Sequence, residues 1–157
     1  MAKGIEAALA LIALSFVLPS ATIAADTMTL GPDQFKTDNT GAGAVLCAWG
    51  IYLSVQAETA ACKLPRRPVD DAMDSAILAI DEFILANSSL HPTREMLDNF
   101  KQRYAESNLS IMQRIGFDKV CNGPDLEAFR RVTPERLQAS IKALLATLRE
   151  PVMNPCL

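Results

Sequence analysis

Apolar residues recur along most of this chain at the 3.6-residue period of an amphipathic helix, with breaking residues between the runs. The clearest run is Val69 to Asn87, where Val69, Met73, Ala76, Ile77, Ile80, Phe83, Ile84 and Asn87 form one stripe. Asp70, Asp71 and Asp74 stand in its first turns, where carboxylates favour the positive end of the helix dipole. Upstream, Gly43 to Ala61 is apolar on nearly every face. Val45, Ala48, Trp49, Tyr52 and Val55 lie on one side, and Leu46, Ile51 and Leu53 on others. A helix of that kind belongs at the middle of a bundle. Asn39 or Thr40 is its candidate cap, and Gly43 and Gly50 each weaken it by about 1 kcal/mol relative to Ala. Pro65 and Pro68 end it.

His91-Pro92-Thr93 is a break, with Thr93 as the cap of a third helix, Arg94 to Ile115. Its predicted stripe is Leu97, Phe100, Tyr104, Ile111 and Ile115, and Gly116 suits its end. Phe117 to Pro124 reads as a loop and Asp125 to Val132 as a short helix. Thr133-Pro134 then opens a fourth helix, with the stripe Leu137, Ile141, Leu144, Leu145 and Leu148 ended by Pro151. No internal repeat, low-complexity segment or strand alternation interrupts this pattern. The predicted fold is all-α, an up-down four-helix bundle over residues 43–157. An irregular lead-in covers 26–42, with one turn near Asp33 to Lys36.

Four cysteines follow the lead-in: Cys47, Cys62, Cys121 and Cys156. An even count in an exported chain implies two disulfides. A metal site is not expected, because zinc ligands come in close pairs such as C-x-x-C. The bundle fixes the pairing. Cys47 and Cys62 sit at opposite ends of the first helix, roughly 22 Å apart at 1.5 Å per residue, whereas a disulfide needs Cα atoms within about 7 Å. Up-down topology returns Cys121 beside Cys62 and Cys156 beside Cys47. The pairs are therefore Cys62–Cys121 and Cys47–Cys156.

Residues 1–25 read as a signal peptide. Lys3 begins it, Ala7 to Leu18 is apolar except for Ser15, and Pro19-Ser20 breaks the run before Thr22-Ile23-Ala24-Ala25. The apolar core is about a dozen residues, short of the roughly 20 a membrane span requires. Cleavage after Ala24 or Ala25 gives a periplasmic or secreted chain with no stable membrane span. The formal charge of −3 survives removal of Lys3 and Glu6, and disfavours general nucleic-acid binding.

Candidate chemistry is sparse. The single histidine, His91, precedes a proline, and no nucleophile motif accompanies it. With the cysteines oxidised no thiolate remains. No catalytic residue, metal or cofactor is assigned. Five arginines, Arg66, Arg67, Arg130, Arg131 and Arg136, fall at the predicted Cys62–Cys121 end, where guanidinium forks suit a protein partner or an anion. Pairing with Asp70, Asp71 and Asp74 is the bland alternative. Trp49, Tyr52, Met73, Met96 and Met112 could line a cavity for an apolar ligand or simply form core. Asn87-Ser88-Ser89 and Asn108-Leu109-Ser110 match the N-glycosylation acceptor pattern.

The run Cys47-Ala-Trp-Gly-Ile-Tyr-Leu-Ser-Val, the following Cys62-Lys-Leu-Pro, the Val69 helix and the terminal Pro155-Cys156 resemble small periplasmic immunity proteins of bacterial type VI secretion. The resemblance lies mainly within Cys47 to Pro92, and the long Thr93 to Val132 segment departs from it. It implies an exported, disulfide-bonded helical protein that neutralises a cell-wall amidase. The functional expectation is thus a non-enzymatic protein-binding module, with an inhibitor or immunity role and an apolar-ligand carrier as alternatives.

Overall fold

The computed structural model describes residues 26–156; the signal-peptide reading of 1–25 lies outside them. The described chain is all-helical: α1 (Val45–Ala61), α2 (Pro68–Asn87), α3 (Arg94–Ile115), α4 (Phe117–Cys121), α5 (Pro124–Arg130) and α6 (Pro134–Leu144), preceded by a 3₁₀ turn at Pro32–Phe35. α1 packs against α2 and α3 and also touches α4 and α5, while α6 lies on α2. This is the central position that its all-round apolarity predicts. Trp49, Val45, Ile80, Ile84 and Leu97 are fully buried between these helices.

Both disulfides have the expected pairing, Cys47–Cys156 with Cα atoms 5.3 Å apart and Cys62–Cys121 at 5.6 Å. They tie the two ends of α1 to the tail and to α4. Among the described residues no helix is long and apolar enough to cross a membrane.

Local chemistry places the helix ends. Thr93 accepts a hydrogen bond from the Met96 amide and Thr133 one from the Arg136 amide, as their capping roles predict. α1 begins two residues later than expected, because Gly43 holds a left-handed φ of 100° that no helix continues. Neither Asn39 nor Thr40 caps it; Thr40 folds back on Asp38. Instead the Leu46 amide donates to Val152 O at 3.0 Å, so the C-terminal tail satisfies the first turn of α1. Gly50 lets α3 approach, since a Cβ there would stand 3.2 Å from the Tyr104 hydroxyl.

Three expectations are corrected. Residues 117–121 form a helical turn, not a loop. On α3, Met112 is buried while Ile111 and Ile115 are exposed, Ile115 by 51 %. A straight helix keeps Ile115 on the face of Leu97, about five turns on, so its exposure means that the last turn of α3 runs past the cover of the core. The helix α6 stops at Leu144; Leu145 still packs against the core, but Leu148 is 79 % exposed. There Arg149 turns back and donates to the Leu144, Thr147 and Gly43 carbonyls, while its Nε meets the buried Asp38 carboxylate. That side chain closes the helix end and fastens the lead-in to it. Next to it, Glu150 accepts from the Ser89 amide (2.8 Å) and the Ser88 hydroxyl and also engages the buried Gln34. The lead-in and tail are therefore bound into the bundle by polar contacts.

Candidate binding surface at the Cys62–Cys121 end

α1 ends, α2 begins and α3 ends at the Cys62–Cys121 bridge, and α5 lies across α1 beside it. All five predicted arginines gather here, but in different states. Arg130 is 3 % exposed. Its Nε donates to Asp70 Oδ1 at 3.2 Å and its Nη2 to Asp70 Oδ2 at 2.9 Å and to the Pro65 carbonyl. Asp70 is itself buried and also accepts from the Arg67 amide at 2.8 Å. Hydrogen bonding from Arg130, with the Arg67 amide and both neighbouring charges, holds Asp70 below the ordinary carboxylate range against the pull of burial. Arg130 is thus a structural tie between α5 and α2, unavailable to a partner. Sequence spacing could not distinguish it from Arg131, one residue along, which is exposed.

The remaining arginines face solvent. Arg66 bridges Asp71 and Asp74, with 2.7 Å to Asp74 Oδ2. Arg67 and Arg131 share Glu127, each at 3.2 Å. Arg136 is exposed at the first turn of α6 and makes no ion pair with any described residue. Four of the five guanidiniums therefore already hold a carboxylate, and Arg136 does not. The same end also carries exposed apolar groups, Ile111 and Ile115 one turn apart on α3 and Phe117 just past the Gly116 turn. Glu58, on α1, has its pKa raised by burial and by the nearby Asp125 charge.

The predicted cavity residues are divided, not assembled. Trp49 borders a cavity of about 130 Å³ between α1 and α3, with Leu46, Gly50, Phe100, Tyr104 and Met153. Tyr52 and Met73 border another of about 240 Å³, a half-open cleft also lined by Val69, Phe129, Val132 and Leu137, with Arg136 and Ser140 among its walls. Met96 and Met112 line neither. Small-molecule pockets commonly reach about 300–1,000 Å³, so neither cavity suits a long lipid chain.

The pattern reading missed one buried cluster. Asp81 is fully buried on α2, accepting from Trp49 Nε1 at 2.9 Å and pairing with Lys101 Nζ at 2.6 Å. Burial works against the Lys101 charge, but hydrogen bonds to Asp81 and Asp98 outweigh it, and the lysine pKa is raised. Trp49 also stacks on Phe100 with ring centroids 5.0 Å apart. The signal was present: Asp81 falls at i+4 from Ile77 and i−3 from Ile84, on the core face.

His91 is exposed in the corner between α2 and α3 with φ 45°. The two acceptor-pattern asparagines donate their amides to carbonyls four residues back, Asn87 to Phe83 O and Asn108 to Tyr104 O. Comparison with protein-family models, curated proteins and solved structures finds no match. The immunity-protein resemblance therefore rests on its motif residues alone.

Proposed function

We propose that this chain is an exported, non-enzymatic binding module that engages a protein partner through its Cys62–Cys121 end. The observation that carries the reading is that exposed Ile111, Ile115 and Phe117 and the ion-paired Arg66, Arg67 and Arg131 all belong to the disulfide-pinned end of the bundle. Aromatic residues and arginine are the types enriched at protein interfaces. Rigid backbone lowers the ordering cost of association. Because the arginines are paired with carboxylates, the surface suits a partner of mixed charge better than a polyanion. Export is supported by both disulfides, which persist in oxidising compartments. An immunity or inhibitor role against a secreted enzyme is the concrete form of this reading.

Site-resolved photo-crosslinking in the exporting host tests it. A crosslinker at Phe117 or Arg131 should capture one discrete partner, and the same group at Leu78, exposed on α2, should not. The charge reversal Arg66→Glu with Arg131→Glu should abolish the adduct. Equal capture from Leu78, or none from either end position, would overturn the assignment.

A further inference from the structure

We propose that the cavity beside Arg136 is a binding site for a small organic acid, a carboxylate carried on a compact apolar body such as one ring or a short alkyl chain. Of the five arginines at this end, Arg136 alone lacks a carboxylate partner among the described residues; Asp70, Asp71, Asp74 and Glu127 are all committed to the other four. Thr133 and Pro134 fix the helix start that carries it. Its guanidinium presents a planar fork whose geometry matches a carboxylate.

The cavity supplies the rest. Its walls include Val69, Met73, Val132 and Leu137, which favour an apolar body, and Tyr52 and Ser140, whose hydroxyls hydrogen-bond to no other described residue. Burial raises the Tyr52 pKa, so its phenol stays a donor. A carboxylate accepts only, and both a guanidinium and a hydroxyl are donors to it. At about 240 Å³ the space holds a ring or a short chain and not a long-chain lipid. This inference is independent of the protein-partner reading, because its test needs no partner.

The test is a titration of the oxidised, exported protein, methyl-labelled for NMR, with 3-phenylpropionate and with octanoate, each against its own primary amide. The expected result is saturable shifts of the Met73, Val132 and Leu137 methyls with at least one acid, and at least roughly tenfold weaker binding of its amide. Arg136→Gln should bring the acid down to the level of the amide, and Arg114→Gln, on α3, should leave it unchanged. Amide spectra of both variants establish that they are folded. Absence of saturable shifts with both acids, equal binding of acid and amide, or undiminished binding by Arg136→Gln would each overturn the site.

Discussion

Arg130→Met is the substitution whose cost the structure defines most closely. The side chain it replaces is buried, makes a two-point contact with Asp70 and holds the Pro65 carbonyl. Methionine restores most of the volume, so the loss is mainly electrostatic. It leaves the Asp70 carboxylate buried with the Arg67 amide as its remaining close partner, and the Pro65 carbonyl without a donor. Removing one member of a buried pair costs about 3–5 kcal/mol, because the other charge stays desolvated. Asp70→Asn alone should cost less, since Arg130 keeps the Pro65 carbonyl and an amide oxygen as partners. In the double variant the stranded charge disappears, so the two costs should not add; coupling of about 2 kcal/mol or more is expected. Urea unfolding midpoints for the four proteins, with disulfides intact, give this cycle. A cost for Arg130→Met under about 1 kcal/mol, or costs that add within error, would refute the claim that this arginine is a buried tie.

The same pair sets an acid limit. Asp70 and Asp38 both have depressed pKa values in the folded state, Asp38 because hydrogen bonds from Thr40 and Arg149 outweigh burial. Their contribution is therefore present above the unfolded aspartate pKa of about 3.9 and lost as pH falls through the folded values. Urea midpoints should drop below about pH 4, and less steeply in Asp70→Asn. Replacing Cys47 and Cys156 with serine should lower stability by up to about 4–5 kcal/mol on the loop-closure account and speed amide exchange in residues 31–38, which the tail holds. Asp81→Asn should shift the emission of Trp49, the chain's sole tryptophan, by changing its hydrogen-bond acceptor; an unchanged spectrum would contradict that contact.

Periodicity revealed the four long helices because each buries a stripe against its neighbours, and α2 follows its stripe from Val69 to Ile84. The disulfide pairing was legible because topology and helix length leave one geometric solution. What escaped was long-range polar contact. Nothing near Leu148 signals that α6 stops early and that Arg149 reaches Gly43, distant in sequence. Likewise Arg130 and Arg131 look alike in sequence, and only the packing of α5 over Asp70 separates a buried tie from a surface cation. The candidate end was readable as a location, and so was pairing with Asp70, Asp71 and Asp74, which Arg66 and Arg130 make; unread was Glu127, which pairs with Arg67 across 60 residues.

The central claim is a bundle that is exported and stapled outside the reducing cytoplasm. Expression of the full-length chain in an exporting host, followed by intact-mass and peptide mapping without reduction, tests it most directly. The account predicts a new N-terminus at Ala25 or Asp26 and two linked peptide pairs, Cys47 with Cys156 and Cys62 with Cys121. An N-terminus at Met1 with four free thiols would contradict it.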